Sequence, residues 1–260
     1  MKVAAIQSRL GDLQSAERLA KNAVNTGAEF LLFPEYFGYS KIDQRQTEEI
    51  LKFLRNFSRE YDVVTIGNVV LEDDGIKNRA LVYKSGEVVG HQDKIHPTKA
   101  EIAMGIKKGN RLNVIEVSGV RICVLICADI LYPELCRVAG IKCVDIAFNP
   151  VISFKNSELP GSNYRYCLYF ARAFDNAYLV VKAGGVGKTF TGTLAAGRSL
   201  IASFDGILVK ASSEDAEEVV SVDFDVNSVR KFRLLNYSLF DRNVEAYSDL
   251  LEDHYCTSEK

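Results

Sequence analysis

Apolar residues recur along this chain with two periods, one near two and one near 3.6, and the two alternate. Lys2–Gln7 is a short apolar run that reads as a strand. Asp12–Val24 spaces its apolar residues three and four apart and reads as an amphipathic helix stopped by Gly27. Phe30–Phe33 is a second strand, running into Pro34 and Glu35, and Thr47–Tyr61 returns to helical spacing through Ile50, Leu51, Leu54 and Phe57. Three β-rich runs follow, Val63–Leu71, Asn78–Lys84 and Val88–Lys94, with turns at Asp74-Gly75 and Ser85-Gly86. Arg121–Cys127 is apolar after its first residue and reads as a buried strand. Pro133 and Glu134 then open a helix over Glu134–Ala139. Val144–Asn149 is a further strand and Tyr164–Asn176 a further helix, and the remainder is strand-rich: Tyr178–Lys182, Gly197–Ser203, Gly206–Ala211 and Val219–Phe224.

Strands separated by helices, with hairpins between, predict an α/β protein whose sheets are covered by helices rather than an all-β barrel. No repeat or low-complexity linker interrupts residues 1–260, so a single domain is expected. With 260 residues, 47% of them hydrophobic, the chain can bury a large core. Lys+Arg 32 against Asp+Glu 34 leaves a net charge of −2, which offers nucleic acid no global basic field and points to a small neutral or weakly charged partner. The opening MKVAAIQ is too brief for a secretory signal, and no apolar run approaches a membrane span. Six cysteines without paired C-x-x-C spacing and three histidines argue against a zinc site or disulfide scaffold; reduced thiols and a cytoplasmic location are expected.

Chemistry gathers at three strand ends. Glu35 follows a strand and a proline, Lys94 closes a β-rich run, and Cys127 stands where a strand gives way to a turn. A thiol attacking an acyl carbon needs a base, and a carboxylate serves only if burial raises its pKa. The oxyanion that forms would be stabilised by a nearby ammonium and by the N–H of Ala128.

These blocks are recognisable. LLFPEYF around Glu35, DKIHPTKAE around Lys94 and CADILYPE from Cys127, with Asp129, Pro133 and Glu134, resemble those of the nitrilase, or carbon–nitrogen hydrolase, superfamily. YFARAFDNAYLV with Arg172 and Asn176, GRSLIASFDGILV and FDRNVEAYSDLL are similar to its supporting segments, in the same order. The resemblance implies a four-layer α-β-β-α sandwich that commonly joins a second copy as a homodimer. It also implies catalytic Glu35, Lys94 and Cys127, with Glu101 as the second glutamate, and no metal or organic cofactor. The implied substrate is a small molecule with an amide-type C–N bond; simple amides lead, and N-carbamoyl compounds and nitriles remain open. Ala128 and Leu131 depart from the residues common in the family, so the pocket wall is this chain's own. Ala128, Tyr36, Tyr132 and Val151 are the substrate-binding candidates, within pocket segments Tyr36–Tyr39, Ala128–Tyr132 and Val151–Tyr164; the last holds Lys155 and Glu158, which favour opposite substrate charges.

Two readings from other classes compete. AGGVGKT at Ala183–Thr189 looks like a phosphate-binding loop, but Lys182 stands where its first glycine belongs, and the following TFTGTLAAGRS is a poor helix start. A non-catalytic family member acting as a binding or assembly module is the other. Cys123, four residues before Cys127, is expected to pack below it on the same strand face, with Cys136, Cys143, Cys167 and Cys256 structural. His96 is read as a loop histidine making local hydrogen bonds.

Overall fold

Short strands with buried residues on both faces require cover on both faces, and this chain supplies it from its own helices and from a second sheet. A computed structural model describes residues 1–155 and 162–251; Glu158 and Cys256 lie outside the described residues. The first sheet comprises β1 (Lys2–Gln7), β2 (Phe30–Leu32), β3 (Val64–Glu72), β4 (Ile76–Lys84), β5 (Glu87–Asp93) and β14 (Glu218–Asp223), in the order β14-β1-β2-β3-β4-β5. The second comprises β6 (Ile115–Val117), β7 (Val120–Val124), β8 (Ile146–Val151), β9 (Leu179–Gly184), β12 (Leu200–Ser203) and β13 (Gly206–Lys210), in the order β13-β12-β9-β8-β7-β6. The small ribbon β10 (Gly187–Lys188) and β11 (Leu194–Ala195) stands apart.

Alternation sorts the side chains into three apolar layers. Val3, Phe30, Leu32, Val64, Val124, Phe148 and Val181 meet between the sheets, where Phe30 stacks on Phe148 with ring centroids 6.1 Å apart. Helices α1 (Leu13–Asn25) and α2 (Gln44–Tyr61) cover the first sheet through Leu19, Ile50, Leu54 and Phe57. Helices α4 (Pro133–Ile141) and α5 (Ser162–Asn176) cover the second through Cys136, Ala139, Tyr169 and Ala173. The result is the expected four-layer α-β-β-α sandwich.

Several boundaries differ from the sequence reading, each for a local reason. Helix α2 starts at Gln44, earlier than Thr47, because Asp43 caps it by accepting from the Gln46 N–H at 2.8 Å. Strand β7 ends at Val124 rather than Cys127, so the period-two count fails beyond it. Cys123 therefore packs in the outer helical layer with Cys136, while Cys127 faces the layer between the sheets. The expected stacking of one below the other is overturned. A short helix α3 (Lys99–Ala103) and the C-terminal helices α6 (Val226–Leu235) and α7 (Tyr237–Phe240) were not foreseen; α6 buries only Val229 and Arg233, too few to leave an apolar stripe.

The sheets are pinned together beside the site. Gln7 of β1 accepts from the Ser199 N–H at 3.0 Å and donates to Ser213 and Ala216 carbonyls, while Ser199 accepts from the Gly184 N–H at 3.0 Å. Only glycine fits there. A Cβ on Gly184 would lie 1.7 Å from the Gly197 carbonyl oxygen, and one on Gly197 would strike Gln7 at 2.1 Å.

Candidate active site

Lys94 leaves β5 and buries its ammonium between two carboxylates, at 2.8 Å from Glu35 Oε1 and 2.7 Å from Glu101 Oε2. Glu35, Lys94 and Glu101 are 2%, 1% and 5% exposed, so water does little to screen them. Glu35 sits in the turn after β2, and Tyr36 beyond it takes φ 54°, a left-handed conformation that bends the chain back. Glu101 occupies the third position of α3 in a capping box: Thr98 donates both N–H (2.8 Å) and Oγ1–H (2.9 Å) to Glu101 Oε2. Tyr36 donates its hydroxyl to Glu101 Oε1 at 2.7 Å. Asn78 of β4, itself oriented by Asn68 at 3.0 Å, lies 2.9 Å from both Glu35 Oε1 and Glu101 Oε1 and ties the carboxylates together.

Cys127 opens a 3-10 turn, Cys127–Leu131, with φ 49°. A non-glycine residue in that region is strained, and strain of this kind persists where surrounding contacts over-determine it. Here Asp129, fully buried, provides them: its carboxylate accepts from the N–H groups of Ile95, His96 and Ile126 and meets His96 Nδ1 at 2.9 Å. One side chain thus joins the lysine segment to the thiol's turn. Asn149 donates to the Cys127 carbonyl at 3.2 Å and takes the Tyr169 hydroxyl proton at 2.7 Å. The thiol lies within range of the Glu35 and Lys94 charges and 3.9 Å from the Ile152 carbonyl.

The electrostatics follow from burial and neighbours. Burial raises Glu35 above the ordinary carboxylate value; Lys94 opposes this, and Glu101 adds to it. Glu101 is also penalised by burial, but Lys94 and the hydrogen bonds from Thr98 and Tyr36 draw it down to about 2. Burial alone would lower Lys94, yet the charges of Glu35, Cys127 and Glu101 hold it above its ordinary value, so it stays an ammonium. Burial and the Glu35 charge push the Cys127 thiol up. A raised carboxylate beside a raised thiol and a fixed cation is a set between which a proton can pass.

Glu35, Lys94, Glu101 and Cys127 converge, as the sequence suggested. Around them, Tyr36 is engaged by Glu101, Val151 ends β8 and is buried, and Ala128 follows the thiol with no partner for its N–H among the described backbone contacts. Tyr132 lies farther out, 42% exposed and stacked on His96 with centroids 3.5 Å apart. Asn78, Asn68 and Asn149 were missed, because isolated polar residues in strands carry no spacing signal; Thr98 was missed too, although Thr98-x-x-Glu101 has the spacing of a capping box. Lys155 reaches Asp215, outside this group. The phosphate-loop reading fails on geometry: Gly187–Lys188 pairs with Leu194–Ala195 and residues 190–198 form no helix, so no helix N-terminus awaits a phosphate. Among the described residues, no group of three His, Cys, Asp or Glu is arranged to hold a metal ion.

A partly buried thiol beside a buried ammonium and two buried carboxylates, at the ends of strands in an α-β-β-α sandwich, is an arrangement suited to a hydrolase. The carbon–nitrogen hydrolase family model matches residues 2–234, and the chain belongs to that family. A nitrilase of Pyrococcus abyssi is 28% identical over 249 residues, 89% of this chain and 91% of its own. The solved carbon–nitrogen hydrolase from Helicobacter pylori G27 superposes with TM-score 0.85 at 18% identity, covering 97% of this chain and 98% of that one. A mutant amidase from Nesterenkonia sp. AN1, solved with the acetamide moiety of fluoroacetamide added covalently at its active-site cysteine, superposes with TM-score 0.81 at 20% identity, covering 96% of each chain. At those identities the two structures share the fold.

Proposed function

We propose that this enzyme hydrolyses the C–N bond of a small non-peptide amide through a Cys127 acyl-enzyme, with Glu35 as base and Lys94 as oxyanion partner. The carrying observation is the 2.8 Å Glu35–Lys94 contact beside the Cys127 thiol at one buried point. Glu35 takes the thiol proton; the thiolate attacks the acyl carbon, and negative charge gathers on the acyl oxygen near Lys94 and the Ala128 N–H. Collapse breaks the C–N bond, with Glu35 returning the proton to the leaving ammonia or amine. Glu35 then deprotonates a water that attacks the thioester, releasing the carboxylic acid and restoring the thiol. Glu101, ionised, holds the ammonium in place, and no step calls on a metal or organic cofactor. The covalent adduct of the Nesterenkonia amidase supports the same use of a cysteine here.

Cys127→Ala and Cys127→Ser are the direct test, assayed as ammonia released from a panel of amides, carbamoyl amines and nitriles. Turnover by the wild type with none by either variant, and a trapped acyl mass increment lost with the sulfur, is expected. Turnover by clean Cys127→Ala would remove the nucleophile. Failure of Cys127 to react selectively with a thiol-directed electrophile, together with no turnover, would favour the non-catalytic reading.

A further inference from the structure

Two asparagines in the layer between the sheets bear on which oxygen of Glu35 is free to react. Asn68 on β3 shares the face of Ile66, and Asn78 on β4 shares the face of Ala80 and Val82, so both point into the layer that Cys127 also faces. Both are fully buried. Asn68 donates its side-chain N–H to Asn78 Oδ1 at 3.0 Å, and its own Oδ1 has no partner among the described residues. The Asn78 amide nitrogen is thereby turned to Glu35 Oε1 and Glu101 Oε1, each at 2.9 Å, with the Tyr36 hydroxyl at the same distance. The reverse orientation would aim Asn78 Oδ1 at two carboxylate oxygens, acceptor against acceptor. The Asn78 carbonyl also accepts from the Lys94 N–H at 2.9 Å, so one residue holds the backbone of the lysine and both of the carboxylates around its ammonium.

Lys94 and Asn78 both donate to Oε1 of Glu35, at 2.8 and 2.9 Å, and among the described contacts Oε2 accepts no hydrogen bond. An oxygen that already takes two donors is a poor proton acceptor, whereas the other keeps its lone pairs for an incoming proton. We infer that Asn78, oriented by Asn68, is a positioning residue that saturates Glu35 Oε1 and so makes Oε2 the atom that carries the proton. This rests on the hydrolase reading above. The S–H bond of Cys127 breaks as an O–H bond forms at Oε2, and that proton passes to the leaving nitrogen as the C–N bond breaks. The titratable groups facing Glu35 are Lys94 after β5, Glu101 of α3, Cys127 after β7 and Tyr36 beside it in the turn. Asn78 adds to them a donor that does not titrate.

Asn78→Leu keeps the size of the side chain and removes the donor. A hydrogen bond to a carboxylate favours its charged form, so the loss raises Glu35, and the acid limb of kcat/KM should move upward by about one pH unit. On the plateau kcat should fall about 10- to 100-fold, the range for a lost hydrogen bond to a charged group, with KM for the same amide changing less. Asn68 bonds to neither carboxylate, and Asn68→Leu should move both readouts in the same direction by less. An unmoved acid limb in Asn78→Leu would overturn the inference whatever the fall in kcat, since a merely structural residue lowers the active fraction without moving the limb. Wild-type kcat and limb in Asn68→Leu would overturn the orienting role of Asn68. The pH dependence of Cys127 alkylation by iodoacetamide, followed by mass at that peptide, reports the same limb without turnover. If the wild type hydrolyses no amide, the hydrolase reading fails, and the alkylation limb still decides whether Asn78 acts on the proton of Glu35. Should Asn78→Leu not fold, Asn68→Leu carries both measurements, and an unmoved limb there overturns the inference.

Discussion

Glu35 and Glu101 grip the same ammonium yet titrate in opposite directions. Glu101 collects the Thr98 N–H, the Thr98 hydroxyl and the Tyr36 hydroxyl besides Lys94, so its charged form is fully solvated by protein. Glu35 has Lys94 and Asn78 but sits deeper and faces a second carboxylate, so desolvation wins. Environment separates the two, leaving one carboxylate suited to hold charge and the other suited to exchange a proton. A pH prediction follows with a definite sign. The working pair shares one proton between Glu35 and Cys127, and a second proton quenches it, so kcat/KM should rise with pH through a value above the ordinary 4.5. The thiol is raised above 9.0, so no alkaline limb should appear below that pH. An acid limb at or below 4.5 would contradict the raised Glu35.

At the scale of elements, the early end of β7 matters more than its presence. Had the strand continued, Cys127 would have alternated with its neighbours into a sheet face; stopping at Val124 frees three residues to turn the thiol out of the sheet and towards Glu35. Asp129 then fastens that turn to the segment carrying Lys94, so two elements distant in sequence move as one. The glycines beside Gln7 do the same for the sheets. Gly184→Ala drives a methyl into the Gly197 carbonyl, which cannot yield without breaking the β9–β12 pairing. A loss of about 3 kcal/mol is expected, measured as a lower urea midpoint; an unchanged midpoint would show that the sheets are not pinned there.

For the whole molecule, two sheets back to back bury one apolar layer between them and one beneath each pair of helices. The site lies where strand ends from both sheets approach, as open α/β sheets commonly place their ligands. The outer surface is less complete near the C-terminal helices, where Leu234, Leu235, Tyr237 and Phe240 are exposed. A second copy covering apolar surface is the family expectation. Light scattering on the purified protein should therefore give about twice the 28.9 kDa of one chain; a monomer at micromolar concentration would contradict it.

The periodicities placed most strands and helices, because strands buried on both faces read as short unbroken apolar runs while each helix hides one face. Ordered blocks around Glu35, Lys94 and Cys127 pointed to the groups that the structure brings together, because the family resemblance lies in those short segments. Glu101 was legible through its block, and its capping box was not needed to find it. Asn78 and Asn149 were not legible, since a polar residue inside a strand looks alike whether it meets solvent, a carboxylate or nothing. Those partners come from sheet register and from the second sheet's approach, which depend on contacts between residues far apart in the chain. The amino-acid sequence alone pointed to the layers and to the candidate groups Glu35, Lys94, Glu101 and Cys127. Only the tertiary structure decided which carboxylate is raised and which is drawn down, because pKa values answer to burial and neighbours rather than to residue type.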